Sequence, residues 1–155
     1  MQRSPSLEEF LALARRGTLV PVWREFQFDT ETTVTAYHKL RQLPFGFLLE
    51  SVLGGEQWAR YSFMGTRPRG AWRMTGSQAE EWTPESGWRP LESTDRLGDL
   101  DRPLRRERPV HVPGLPRFWG GAVGYFGYDV VRSIERLPDP PADDLGLPEA
   151  MVMFT

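Results

Sequence analysis

The sequence predicts an α+β fold in which a mostly antiparallel sheet is flanked by a few helices. Segments rich in aromatic and β-branched residues follow one another between residues 45 and 91, separated by short glycine-containing turns. Helical periodicity is confined to short stretches beside these segments. The 155 residues, of which 39% are hydrophobic and which include six Trp and nine Phe, suffice for the core of one domain.

The composition argues against several classes of function. The net charge of −2 comes from interspersed acidic and basic residues, so no basic face for nucleic acid is expected. The absence of Cys removes disulfides, thiolate catalysis and cysteine-ligated metals. The chain has no apolar run of membrane length and no signal-like start, which predicts a cytoplasmic protein without a membrane partner.

The chain is expected to open with a helix followed by a strand. Ser6 and Glu9 have the spacing of a capping box, and the helical apolar repeat begins at Leu7. Residues 19–28 are rich in β-branched and aromatic side chains and therefore predict a strand, with Pro21 at an edge or bulge position.

A second helix is predicted to follow, capped by Thr32 or Thr33 and ended before Pro44. Its spacing of apolar residues predicts that three side chains face the core: Val34, Tyr37 and Leu40.

A β-hairpin is predicted next. Residues 45–52 are almost wholly apolar until Glu50, which predicts a strand covered on both faces. Gly54 and Gly55 form the turn, and residues 58–64 return as the antiparallel partner.

A meander of three shorter strands, at residues 70–74, 79–83 and 88–91, is expected to follow the hairpin. Residues 92–117 are charged and proline-rich, which predicts a surface excursion with one short helix near residues 97–105.

The last part of the chain returns to strand character. Residues 118–128 predict a strand whose four glycines require the close approach of another backbone, ring or ligand. Asp129 is expected to cap a helix that runs through Ile134. Residues 151–155 predict a further strand, and because no turn follows it we expect the chain to be a fragment.

No catalytic residue is predicted. The sequence has no nucleophile elbow, Walker loop, dinucleotide fingerprint or zinc spacing. His38 and His111 lie far apart without a companion motif and are expected to be solvated.

Glu50 is the most unusual residue of the predicted hairpin, because it closes an otherwise apolar strand. A buried carboxylate is costly unless a cation or hydrogen-bond donors meet it. Two interpretations stay open: Glu50 lies in water or pairs with Arg60 across the hairpin, or it binds the ammonium group of a ligand.

Several motifs occur together in an order that resembles component I of anthranilate synthase, a member of the chorismate-utilising enzymes. They are FLALA at 10–14, VPV at 20–22, ETTVTAY at 31–37, LLESV at 48–52, RYSF at 60–63 and GGAVGYFGYD at 120–129. The resemblance spans nearly the whole chain. It departs from the family where Thr33 replaces a usual Pro and Leu53 a common acidic residue.

The resemblance implies that residues 1–155 are the amino-terminal regulatory region of the enzyme, an incomplete part of the chorismate-utilising fold. The carboxy-terminal chorismate-binding region would be absent, and with it the catalytic residues and the Mg²⁺ of the full-length enzyme, so no cofactor is expected here. The full-length enzyme would convert chorismate and ammonia to anthranilate and pyruvate. Its implied partners are the glutamine amidotransferase subunit (component II), L-tryptophan as feedback inhibitor, and the missing carboxy-terminal half.

The resemblance also implies an inhibitor site at the hairpin, since the family binds tryptophan beside the strand that contains the LLES motif. The residues carried over are Leu49, Glu50, Ser51, Arg60, Tyr61 and Ser62. A tryptophan zwitterion needs an anion for its ammonium, donors for its carboxylate and an apolar slot for its indole. Glu50 and Ser51 point to opposite faces of a regular strand, so both can contact one ligand only if the strand bends.

Two alternatives remain at this point. The chain could derive from an aminodeoxychorismate synthase component I homologue, which shares the architecture, or it could be a stand-alone small-molecule binding module.

Overall fold

The computed structural model describes residues 5–27, 29–50, 61–139 and 142–155. These residues form an α+β domain with two antiparallel sheets and a few helices, which confirms the predicted fold class. The elements are α1 (Leu7–Ala14), α2 (Thr33–Leu40), β1 (Gly46–Leu49), β2 (Phe63–Thr66), β3 (Gly70–Thr75), β4 (Gln78–Thr83), β5 (Gly87–Leu91), α3 (Arg96–Arg106), β6 (Ala122–Phe126), a 3₁₀ helix (Tyr128–Ser133) and β7 (Ala150–Phe154).

The larger sheet has five strands in the order β5-β4-β3-β7-β6, and every pair is antiparallel. The predicted meander is confirmed as β3, β4 and β5. Strand β7, predicted at residues 151–155, lies between β3 and β6 and is therefore internal. Its alternate residues Ala150, Val152 and Phe154 are buried, as the two-residue period of a strand requires.

The main core lies between this sheet and α3. Trp72 and Met74 of β3 are its largest fully buried side chains. Helix α3 covers them with three half-buried residues at helical spacing, Leu97, Leu100 and Leu104. The helix predicted near residues 97–105 is thus confirmed, but the description of residues 92–117 as a surface excursion is wrong, because this apolar stripe packs on the sheet.

The glycine-rich segment forms a shorter strand than predicted, β6, inside the range 118–128. A Cβ at Gly124 would collide with the carbonyl oxygen of Met151 on β7. At Gly121 the backbone exchanges two hydrogen bonds with Thr155, with N···O distances of 3.3 and 2.9 Å. The expected close approach is therefore that of a neighbouring strand.

Asp129 does not cap a helix, contrary to prediction. The 3₁₀ helix begins after Gly127 without a side-chain cap, and Asp129 lies inside it. Its carboxylate accepts a hydrogen bond from Arg132 Nε at 2.8 Å. An acid three residues before an arginine faces it on a helical turn, so the ion pair replaces the cap.

The strand predicted at residues 19–28 is wrong. Only Leu19 forms a bridge, with Pro109, and the described residues 20–27 form no strand. Val22 and Phe26 are exposed. The segment has the residue types of a strand, but a strand also needs a neighbour with which its backbone groups form hydrogen bonds. Pro21 in addition has no backbone N–H to donate.

The two amino-terminal helices have the predicted caps. Ser6 and Glu9 form a reciprocal capping box on α1, and Thr32 caps α2. The predicted core face of α2 is wrong, because Val34 and Leu40 are exposed and only Tyr37 is half-buried. The helix uses a neighbouring face to contact the hairpin.

The face of the large sheet opposite α3 packs against Phe45, the residue that directly precedes β1 of the hairpin. Phe45 is 8% exposed. Its ring meets the Trp82 ring edge-on, with centroids 4.7 Å apart, and the Trp88 ring at 6.0 Å. Arg73 lies 4.2 Å over the Trp88 ring and forms an ion pair with Glu80 at 2.6 Å. These contacts fix the base of the hairpin against the sheet.

Candidate functional site

The hairpin of β1 and β2 carries the predicted site. Its register pairs Phe47 with Gly65 and Leu49 with Phe63, so the predicted antiparallel pairing is confirmed. The turn at Gly54 and Gly55 lies outside the described residues. Strand β1 is shorter than predicted and is not covered on both faces, because Leu49 is 47% exposed.

Helix α2 lies against β1 because glycine leaves space there. A Cβ at Gly46 would stand 2.6 Å from the Tyr37 hydroxyl oxygen. Past the end of the helix, the backbone N–H of Gln42 donates to Thr66 Oγ1 at 2.8 Å. The Thr66 hydroxyl is 3.3 Å from the Gln42 carbonyl oxygen. Helix and hairpin are thus joined at the base of the hairpin.

Glu50 follows the last residue of β1 and is exposed. The hydroxyl of Thr33, the first residue of α2, donates a hydrogen bond to Glu50 Oε1. Among the described residues, no cation forms an ion pair with Glu50. The sequence argument from a buried carboxylate therefore does not apply, since Glu50 reaches water, and its expected partner Arg60 lies outside the described ranges.

The face of the hairpin that points away from α2 carries aromatic side chains. Tyr61 stacks on Phe63 with ring centroids 5.9 Å apart and planes at 30°. Phe63 meets Phe118 edge-on at 5.3 Å and 89°. Leu49, the register partner of Phe63, lies on this same face. Leu49 and Tyr61 are both partly exposed, by 47% and 45%.

The predicted site residues are therefore divided between two faces. Successive side chains of an extended chain point to opposite sides, so Glu50 and Ser62 follow the face opposite to Leu49 and Tyr61. The structure brings Leu49 together with Tyr61 on the aromatic face. It does not place Glu50 among them. Ser51 and Arg60 lie outside the described residues, and their predicted roles stay predictions.

A second carboxylate lies near the start of α2. Glu31 accepts hydrogen bonds from Lys39 Nζ and from the Thr35 hydroxyl. These two bonds, that of Lys39 first, lower the pKa of Glu31. Lys39 is thus engaged with Glu31.

Sequence reasoning missed Thr33 as the partner of Glu50. The only signal was that Thr33 departs from the usual Pro of the resembling family, because a hydroxyl can donate where a proline ring cannot. The contact itself could not be inferred from the spacing of 17 residues, since it depends on how α2 docks on β1.

Sequence reasoning also missed Asp99, whose side chain is 3% exposed. Asp99 lines a cavity of about 210 Å³ between α3 and the large sheet. Its Oδ1 accepts from Arg102 Nη2 at 2.8 Å. Within the described ranges, Asp99 Oδ2 and the neighbouring Trp72 Nε1 are buried without a hydrogen-bond partner. A charged residue inside a surface helix gives no sequence signal of burial.

The described part of the chain contains neither a cluster of metal-ligating side chains nor a membrane-spanning helix. No group of three or more His, Asp or Glu side chains there could hold a metal ion. His38 and His111 are both exposed, as predicted. In the same ranges no helix is long and apolar enough to cross a membrane.

The amino-acid sequence of the chain is similar to those of known proteins. The chain is 38% identical to anthranilate synthase component 1 of Acetivibrio thermocellus over 97% of its own length and 30% of that protein. Identity is 40% with the Pseudomonas aeruginosa protein of the same name, over 96% of the chain and 31% of the relative. The chain is 35% identical to the Aquifex aeolicus protein of the same name, over 100% of the chain and 31% of the relative. No family model matches the chain.

The fold and the hairpin define a class of protein, an α+β domain with antiparallel sheets. The chain belongs to the family of anthranilate synthase component 1. It spans about 30% of the length of the curated relatives it matches.

Proposed function

We propose that this chain is the amino-terminal region of an anthranilate synthase component I that senses tryptophan and contributes to contact with the other subunit. The full-length enzyme would convert chorismate and ammonia, derived from glutamine, to anthranilate and pyruvate. Support comes from relatives of that name that match nearly the whole chain at 35–40% identity. The Mg²⁺ and the chorismate site would belong to residues outside this chain, and component II would supply the ammonia.

The observation that carries the sensing role is the state of Glu50. It is an exposed carboxylate at the end of a strand, and among the described residues no cation neutralises it. Such a group can accept a charge-assisted hydrogen bond from a ligand ammonium. The compact cation of a free amino acid fits this position.

The rest of the proposed site must serve the indole and the carboxylate. Leu49 and Tyr61 offer an apolar surface on the other face of the hairpin. The ligand would therefore lie across the end of the hairpin, with its ammonium toward Glu50. In this proposal Ser51, Arg60 and Ser62 supply donors to the ligand carboxylate.

Calorimetry of the full-length gene product with L-tryptophan tests the site. Glu50→Gln keeps the size of the side chain and removes its charge, so affinity should fall about tenfold or more. Glu85→Gln, an exposed glutamate in the turn between β4 and β5, is the matched control and should bind as wild type. Equal affinity of the wild type and Glu50→Gln would remove the assignment.

The activity is tested separately. The full-length gene product, supplied with chorismate, Mg²⁺ and ammonium, should form anthranilate, which is detected by its fluorescence. Formation of aminodeoxychorismate instead would show that the alternative enzyme is correct. If tryptophan binds but does not inhibit, the site is structural and the sensing role is wrong.

A further inference from the structure

Helix α2 runs in the direction opposite to β1, and three contacts join this part of the chain to the hairpin. Its first residue contacts the end of the strand, its middle contacts the start, and the residues after it contact β2. The three contacts are Thr33 with Glu50, Tyr37 with Gly46, and Gln42 with Thr66. The helix segment therefore contacts both ends of β1, and Glu50 lies at the end that carries the candidate site.

The Thr33 hydroxyl is well suited to hold a carboxylate. Thr33 is the first residue of α2, so no earlier turn of the helix offers its hydroxyl a carbonyl to bond. A β-branched side chain also has few rotamers in a helix, so the direction of the hydroxyl is restricted. The hydroxyl donates its single proton to Glu50 Oε1, and within the described ranges Oε2 accepts no hydrogen bond, so its lone pairs can meet another donor.

We infer that Thr33 is a positioning residue that fixes the Glu50 carboxylate for the ligand ammonium. The inference rests on the proposed function, because Glu50 must contact the ligand. Glutamate is flexible, and in the absence of the Thr33 hydrogen bond its carboxylate samples several rotamers in water. Held by Thr33, it presents Oε2 to an ammonium group with less loss of freedom on binding.

The proposed role of Thr33 predicts that its loss affects only ligands that carry an amine. Thr33 acts only through Glu50, and Glu50 contacts only the ammonium. Loss of the Thr33 hydroxyl should therefore weaken L-tryptophan and leave unchanged any ligand that lacks the amine. Indole-3-propionate is such a ligand, since it keeps the indole and the carboxylate.

The test is calorimetry of the full-length gene product with both ligands. Thr33→Val is close in shape and cannot donate, so the affinity for L-tryptophan should fall about three- to tenfold. Thr33→Ser keeps the hydroxyl and should stay within about twofold of the wild type. Val34→Thr, which places a hydroxyl at an exposed neighbouring position of α2, is the matched control and should change neither affinity.

A double-mutant cycle with Glu50→Ala separates positioning from a general effect on folding. In the Glu50→Ala background Thr33→Val should cause no further loss of tryptophan affinity. Equal weakening of both ligands by Thr33→Val, or a loss that persists without Glu50, would contradict the inference. So would unchanged tryptophan affinity in Thr33→Val when Glu50→Ala binds weakly. If Glu50→Ala itself binds as wild type, the proposed site is wrong.

Discussion

Phe45 is the residue on which the junction between hairpin and sheet depends. It is one of the few buried residues outside the main core, and its ring meets both Trp82 and Trp88 edge-on. Such contacts add to the free energy gained from burying the ring itself.

Phe45→Ala should lower the free energy of unfolding by about 3–5 kcal/mol, the usual range for a buried aromatic side chain. Leu43→Ala, two residues earlier at a 93% exposed position, is the control and should change it by less than about 0.5 kcal/mol. Denaturant unfolding measures both. Similar effects of the two substitutions would show that Phe45 does not hold the hairpin.

Gly124 is fixed by the close approach of its neighbouring strand. A Cβ there would collide with the Met151 carbonyl oxygen, so Gly124→Ala should destabilise the fold by about 1–3 kcal/mol through displacement of β6 from β7. At Gly120 the nearest atom would be 3.4 Å away, which makes Gly120→Ala the matched control. Thermal unfolding compares them, and equal midpoints would contradict the packing described.

The residues that the sequence could identify were those whose type is unusual for their position. Gly124 interrupts a strand, so its close packing was recognised. Glu50 interrupts an apolar run, but it is exposed, and its role at a ligand site stays a prediction. Thr33 is an ordinary residue at a helix start, and its hydrogen bond is made to a partner that is distant in sequence. A contact of that kind depends on tertiary docking, which local composition does not encode.

At the scale of elements, α1 gives a prediction about pH. The hydrogen bond from the Ser6 backbone, and then that of its side chain, lower the pKa of Glu9. A carboxyl whose folded pKa is lowered stabilises the helix above its unfolded pKa, and this contribution is lost as pH falls through the folded value. The start of α1 should therefore lose helical chemical shifts on acidification below the ordinary glutamate range.

NMR titration of the Glu9 carboxyl checks this. Ser6→Ala removes the smaller contribution and keeps the backbone donor, so the pKa of Glu9 should rise and still lie below its ordinary value. An unchanged pKa of Glu9 in Ser6→Ala would show that the Ser6 hydroxyl does not stabilise the Glu9 carboxylate in solution.

The elements also show what sequence patterns can and cannot predict. Caps act within one helical turn, so Ser6 was predicted correctly and Thr32 was one of the two residues predicted to cap α2, although the cap predicted at Asp129 was wrong. The meander was predicted because glycine turns separate its strands. The strand at residues 19–28 was wrong, since pairing requires a partner elsewhere in the chain. The core face of α2 was wrong because apolar residues at helical spacing do not reveal whether a partner surface exists.

At the scale of the whole molecule, protection against hydrogen exchange should be uneven. The amides of β3 and β7 lie in the middle of the five-stranded sheet and should exchange slowest. Residues 20–27 form no strand and should exchange fast. Mass spectrometry of the exchanged full-length gene product measures both regions, and slow exchange at residues 20–27 would mean that this segment pairs after all.

The internal position of β7 has a consequence for the order of folding during synthesis. Strands β3, β4 and β5 can pair as soon as they leave the ribosome, but β6 has no neighbour among them and must wait for β7. At a synthesis rate of about 5–20 residues per second, several seconds separate the appearance of β3 from that of β7, its second neighbour in the sheet. During this interval the edge of β3 is open to other chains. A nascent chain held at this stage is therefore where misassembly of the protein would begin.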